Sequence, residues 1–158
     1  MVTIDDIKSV KDFLDKRGIK FVLTGTAALD IYGLTPDNYE VGDIDIIVVA
    51  SKSSESRIYS ILDDLEKLTG SQNISKEGYE HKCFTFIAGP NKVKVNAIIY
   101  NIEESNEDLN YIELAFSNNT LKLHTADDIL KAKFKLGRLK DFKFYNNLLI
   151  TLCAYFKK

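Results

Sequence analysis

The sequence predicts an α/β fold of the α+β kind: a mixed β-sheet flanked by helices, with further helices toward the C-terminus. Three observations carry this. A short apolar run, residues 21–23, leads through Thr24-Gly25-Thr26 into a helical segment, 27–32, then through a polar loop into Asp43-Ile44-Asp45 and the unbroken apolar run 46–49. That is the pattern of strand, tight turn, helix, loop and strand. An amphipathic helix then leads to another strand, which makes a crossover and an at least partly parallel sheet. Two later strand segments, 79–88 and 92–100, flank Gly89-Pro90-Asn91, a turn tripeptide that predicts a β-hairpin.

The 158 residues suit one domain, 1–158, with a core over about 1–123 and C-terminal helices over about 125–156. Hydrophobic residues make up 45% of the chain, enough for a packed core. No run of apolar residues approaches membrane-span length, and no charged start precedes an apolar stretch, so a cytoplasmic protein is expected. Cys83 and Cys153 are too few and too far apart for a metal knuckle, and are read as free buried thiols. The net charge of −2 is unevenly placed. From Lys131 onward seven lysines and Arg138 stand against Asp141 alone, so this part carries +7 and the preceding residues −9. Such asymmetry points to an anionic partner or to a solvated basic face, and the second reading suffices for most of these lysines.

Taken in order, Thr3 reads as a helix N-cap with Asp5 and Asp6 in the first turn. Ile4, Ile7, Val10 and Leu14 follow with helical spacing, and Gly18 ends the segment. This helix is expected to pack on the sheet and to carry no chemistry. Ile58, Ile61, Leu62, Leu65 and Leu68 mark the crossover helix, ended by Gly70. On the second hairpin strand Val93, Val95 and Ala97 share one face, and Lys94, Asn96 and Ile98 the other. Residues 101–110 are acidic and polar, a surface loop, while 111–116 fits a strand or a short helix. Leu121-Lys122-Leu123 is a brief extended piece before Thr125, which reads as the cap of a helix over 126–136. At 100° per residue Ile129, Leu130, Ala132, Phe134 and Leu136 form its apolar arc, with Lys133 near the middle. A final helix is expected to turn Phe142, Tyr145, Leu148, Leu149, Leu152 and Phe156 inward, and Asp141 with them.

The chemistry concentrates in Gly25, Thr26, Asp43 and Asp45. On a strand Asp43 and Asp45 share a face, with Cα atoms roughly 6–7 Å apart. Two carboxylates at about 6 Å repel by ~3 kcal/mol at an effective dielectric near 20. A hard divalent cation offsets this, and so does water at a strand end; on Asp-x-Asp alone the solvated pair is the better reading. The strand–Gly–helix turn changes the balance, because it exposes helix N-terminal N–H groups, a natural phosphate site. Together the turn and the acids describe a Mg2+-triphosphate site.

These residues resemble the signature of the nucleotidyltransferase superfamily, a Gly-Gly or Gly-Ser turn followed by Asp-x-Asp on the next strand. Thr26 replaces the second small residue. The resemblance is nearest to small bacterial members, including antibiotic-modifying and toxin–antitoxin types. A second segment, DILKAKFKLGRLKDFKFYN at 128–146, resembles one in small members, with Lys133, Arg138, Lys140 and Asp141 at matching positions. The resemblance implies Mg2+-dependent transfer of a nucleoside monophosphate from a nucleoside triphosphate to a hydroxyl on a small molecule, protein or RNA. In that reading Asp43 and Asp45 hold the metal, Gly25 and Thr26 cradle phosphates, and Lys133 approaches the nucleotide or pairs with Asp141.

One position departs. The family carries a third carboxylate on a later strand, and here that segment reads Val95-Asn96-Ala97. Asparagine offers a carbonyl oxygen but neither charge nor a base. Loss of a general base costs roughly 10²–10⁴ in rate. Three readings follow: an enzyme working without that base, a carboxylate supplied from another strand, or a catalytically degenerate module that binds a nucleotide or a partner, such as a toxin–antitoxin component. His81 and Cys83 lie on the partner strand and are weighed as neighbours of Asn96. A homodimer or a partner protein could complete the pocket.

Overall fold

A computed structural model describes residues 1–70 and 83–156. Helix α1 (Ile4–Lys16) leads into β1 (Lys20–Thr24), α2 (Gly25–Ile31) and β2 (Asp43–Ala50). Helix α3 (Glu55–Leu68) precedes β3 (Cys83–Ala88) and β4 (Val93–Asn101). Strands β5 (Tyr111–Phe116) and β6 (Asn119–His124) come next, then α4 (Ala126–Leu136) and α5 (Leu139–Phe156). The six strands form one sheet in the order β3-β4-β2-β1-β6-β5. It is mixed: β2 runs parallel to β4 and β1 parallel to β6, while the remaining neighbours are antiparallel. The expected hairpin is β3–β4, and 111–116 is a strand. Residues 79–82 of the first hairpin segment lie outside the described residues.

Strand alternation sets the two faces of the sheet. Along β2 Ile44, Ile46, Val48 and Ala50 are fully buried, while Asp43, Asp45, Ile47 and Val49 on the other face are partly open. The buried face joins Leu23, Val95 and Ala97 to Ile7, Val10 and Leu14 of α1 and Ile58 and Leu62 of α3 in one core.

Helix α1 begins as its sequence requires. Thr3 Oγ1 accepts from the Asp6 main chain, and Asp6 Oδ2 accepts from the Thr3 N–H at 2.8 Å, a reciprocal capping box. Asp6 has a second task. It is completely buried and accepts from the Asn91 N–H (3.0 Å) and Asn91 Nδ2 (2.9 Å), tying the start of the chain to the β3–β4 turn. A side chain at Gly89 would run into it, with a Cβ only 3.0 Å from the Asp6 Cβ.

The C-terminal helices depart from expectation. In α4 only Ile129 is buried, and Ala132, Phe134 and Leu136 are exposed rather than inward. In α5 the buried side chains are Asp141, Phe144 and Leu148, with Tyr145 and Leu152 half-buried. Phe142, Leu149 and Phe156, expected inside, face outward. Helix α5 is apolar on two faces, so periodicity alone does not choose which one meets the core. Leu68 of α3 is exposed as well, while Glu66 is buried and its Oε2 accepts from the Thr85 N–H at 2.7 Å. Cys83 is buried as expected, but Cys153 is exposed. No helix among the described residues is long and apolar enough to cross a membrane.

Candidate active site

The candidate site lies on the partly open face of the sheet, where β1 ends and β2 begins. Strand pairing builds it. Thr85 stands opposite Asn96, Asn96 opposite Asp45, and Asp45 opposite Thr24. Residues directly opposite one another project to the same face. His124 extends the row, its Nδ1 lying 2.9 Å from Thr24 Oγ1. A line of polar side chains therefore crosses five neighbouring strands at one level, with the carboxylate of Asp45 at its centre. Asp43 and Lys94 pair one step along, their charged atoms 3.7 Å apart.

Gly25 closes the site from the end of β1. Its φ is +67°, and a Cβ added there would sit 3.0 Å from the Asp45 Cβ and collide with its carboxylate. Both constraints demand glycine. Helix α2 starts at Gly25 with no side-chain cap, which leaves first-turn N–H groups of the turn unclaimed by Thr24. The glycine bend and the Asp45 carboxylate, twenty residues apart in the chain, are thus packed closely together.

Asn96 bridges the acids. Its Nδ2 donates to Asp45 Oδ1 (2.9 Å) and Asp43 Oδ2 (3.2 Å), and its Oδ1 accepts from Thr85 Oγ1 (3.1 Å). Thr85, and not Cys83, is therefore the cross-strand neighbour of Asn96. Cys83 stands opposite Ile98, and His81 lies outside the described residues.

The C-terminal helices contribute a cation. Lys133 is inward as predicted, and its Nζ donates to Thr26 Oγ1 at 2.9 Å. The same Nζ is 3.9 Å from Asp141 Oδ1 and 5.1 Å from the centre of the Phe144 ring. Arg138 clamps Asp141 with two bonds, Nε to Oδ2 (2.7 Å) and Nη2 to Oδ1 (3.1 Å). Lys133 and Asp141 are near one another, yet Arg138 is the closer partner of Asp141, and the lysine donates a hydrogen bond to Thr26 beside the Gly25 turn.

The electrostatics match this geometry. Burial, then the charge of Asp43, pushes the Asp45 carboxyl above its ordinary range, against the pull of Asn96, Lys133 and Lys94. Burial lowers the Lys133 ammonium, and Asp141 and Asp45 partly restore it. Tyr39, which the sequence reading passed over, stands at the same place. Burial chiefly raises its phenol, which hydrogen-bonds Thr26 and feels the charges of Asp43 and Asp141. Its ring meets Phe144 edge-on at 5.2 Å.

The six residues singled out in the sequence, Gly25, Thr26, Asp43, Asp45, Asn96 and Lys133, are joined by these contacts into one cluster. No protein-family model and no curated protein matches the sequence. A solved structure does match in shape: the antibiotic-resistance factor ANT(2'')-Ia, a nucleotidyltransferase, superposes with a TM-score of 0.55 at 15% identity. The match covers 96% of this chain and 85% of that one. The chain has a nucleotidyltransferase-like fold.

The site offers hard oxygen donors from Asp43 and Asp45. Mg2+ is commonly held by one or two carboxylates together with substrate phosphates, so this donor set suits a single ion arriving with a nucleotide. Burial first, and then the Asp43 charge, disfavour the ionised form of Asp45, a cost that a bound cation would offset. Among the described residues no group of three His, Cys, Asp or Glu side chains converges, so nothing there matches a dedicated all-protein cage.

Proposed function

We propose that the protein transfers a nucleoside monophosphate from a nucleoside triphosphate to a hydroxyl acceptor, with pyrophosphate as the leaving group. The observation that carries this reading is the contact between Gly25 and the Asp45 carboxylate, with Asp43 on the same face. A phosphate-binding turn and an acid pair serve one ligand only if they share one hollow.

In this reading Asp43 and Asp45 hold Mg2+, which when bound neutralises charge on the phosphates and on the leaving pyrophosphate. The main-chain N–H groups at the start of α2 and the Thr26 hydroxyl receive the terminal phosphates. Lys133, already on Thr26, adds a cation beside them. Arg138 keeps Asp141 engaged, so that Lys133 is free to turn toward the nucleotide. The acceptor oxygen would bond to the α-phosphorus as the bond to pyrophosphate breaks, and with asparagine at position 96 its proton would pass to water. The acceptor is a small molecule, a protein or an RNA, and the chemistry belongs to the cytoplasm, where nucleoside triphosphates and Mg2+ are plentiful.

One observation favours a second reading, a nucleotide- or partner-binding module without transfer, such as a toxin–antitoxin component. The Asn96 amide points its N–H groups, not its oxygen, at both carboxylates. To ligate a cation it would have to rotate and give up three hydrogen bonds.

Calorimetric titration with a nucleoside triphosphate and Mg2+ tests both readings. Binding is expected for the native chain and its loss for Asp45→Asn. No heat at millimolar nucleotide overturns the transferase reading. Binding of nucleotide without release of pyrophosphate, over a panel of acceptors, favours the module.

A further inference from the structure

We propose that the outward face of α5 is a self-association surface, on which a second copy of this chain packs helix against helix. The evidence is a spacing. Leu139, Phe142, Asn146, Leu149, Cys153 and Phe156 follow one another at intervals of three and four residues throughout the helix. That is the a/d pattern of a helix–helix seam. At 100° per residue the six fall within an arc of about 100°, roughly 130° away from the buried Asp141, Phe144 and Leu148. All six are exposed. The helix thus carries one apolar stripe for its own core and a second that nothing among the described residues covers.

The exposed area is of the size that a dimer uses. Leu139 is 71% exposed, Phe142 49%, Leu149 60%, Ile150 65% and Phe156 80%. Phe134 of α4 extends the patch, its ring 6.3 Å from that of Phe142. With large side chains offering on the order of 200 Å² each, the patch presents about 700 Å². One partner in a standard interface contributes about 800 Å², and the largest apolar patch on a typical monomer is smaller, about 300–600 Å².

Charge and polarity choose the occupant. From Phe144 to Phe156 the helix has no charged residue, so two copies meet without repulsion along most of its length. Lys140 and Lys143 are its only cations, too few for the basic flank of a helix that lies on an anionic membrane. Asn146 is the one polar residue in the seam. A single asparagine at such a position limits the number of helices that associate, at some cost in affinity. That fits a second identical helix better than an arbitrary apolar partner.

Sedimentation of the full chain over a micromolar concentration range tests this. A dimer is expected, with association weakened at least about tenfold by Leu149→Glu, a charge placed at the centre of the seam. Ile150→Glu, at an adjacent exposed position, repeats the test should the first variant lose its helical circular dichroism. Iodoacetamide provides an independent readout, because Cys153 lies in the seam while Cys83 is buried in the core. Alkylation of Cys153 should be slow in the native dimer and fast in either variant. A monomer throughout the range overturns the proposal, as do a dimer indifferent to both glutamates and equal alkylation rates. A native monomer that sediments with phosphatidylglycerol vesicles overturns it too, and makes the face a membrane-binding one. Nucleotide binding reads the site on the opposite side of α5, so its failure leaves this result standing.

Discussion

Asp6 and Asp45 are both partly or wholly withdrawn from water, yet their carboxyls move in opposite directions. Asp6 is completely buried, and burial works against its charge. Hydrogen bonds from the side chain and main chain of Asn91 and from Thr3 outweigh that cost and hold its carboxyl below the ordinary range. Burial chiefly, and then the charge of Asp43, raises the Asp45 carboxyl, and among the described residues the Asn96 amide is the donor that opposes them. Burial works against both charges, and what separates the two acids is how many hydrogen-bond donors offset it and whether a second acid stands beside them. Asp6 is a completed structural joint, whereas Asp45 is, in the proposed reading, an acid whose charge a bound cation would balance.

The sharpest way to alter this contrast is to add a third acid. Asn96→Asp would place a carboxylate against Asp43 and Asp45 where the amide now donates to both. In the transferase reading this supplies a base and a further metal oxygen, and turnover is expected to rise, by up to roughly 10²–10⁴ if proton removal limits the rate. The measurement is pyrophosphate release with Mg2+ present. Tighter Mg2+ binding with no release is the outcome expected of a binding module. Without metal the same variant should melt at a lower temperature than the native chain, since three carboxylates then repel one another.

Breaking the other member of the pair has a smaller and purely structural effect. Asp6→Ala removes a helix cap and strands the Asn91 donors, a loss of about 2–4 kcal/mol in unfolding free energy. Denaturant titration reads it, with nucleotide binding by the remaining folded chain unchanged. The pH dependence follows from the lowered carboxyl. The folded state binds the Asp6 proton less tightly than the unfolded one does. Its contribution is therefore fully present above the ordinary carboxylate range and is lost as the pH falls through the folded value. The native chain should lose stability in that acid window, and Asp6→Ala should lose less.

The two acids also divide what could be read from the sequence. Asp43 and Asp45 announced themselves, because period-two alternation puts both on one face and a glycine turn precedes them. Lys133 and Asp141 could be found from helical geometry as polar residues aimed inward, and both are. Thr85 was not within reach: counting outward from a three-residue Gly89-Pro90-Asn91 turn sets Phe84 opposite Asn96, whereas the loop also takes in Lys92 and sets Thr85 there. The long-range task of Asp6 was not legible. Its Asn91 partner is 85 residues away, and an acid in a first helical turn is explained locally by the capping box. The rotation of α5 was equally hidden. With apolar residues on two faces, a helix does not state which stripe belongs to its own core, and Phe144 rather than Phe142 turned inward. Periodicity reports amphipathicity, and it falls silent where a helix has two apolar stripes to cover.

The smallest effect is the most discriminating. Asp45→Asn keeps the shape and the bond from Asn96, while it removes one of two neighbouring charges. The raised carboxyl means that the folded state holds the Asp45 proton more tightly than the unfolded chain does. Ionising it as the pH rises from the unfolded carboxylate value through the folded one therefore costs stability. Above that window the variant should be more stable than the native chain, by on the order of 1 kcal/mol, the usual gain from relieving strain at a functional site. Below it, where both states are protonated, the difference should vanish. Mg2+ with nucleotide reverses the order, because a ligand that binds only the folded state raises the melting temperature of the chain that retains its site. Paired melting curves at neutral and acid pH, with and without Mg2+ and nucleotide, measure all of this on one variant. If Asp45→Asn melts with the native chain under every condition, the acid pair is a solvated strand end and binds no cation.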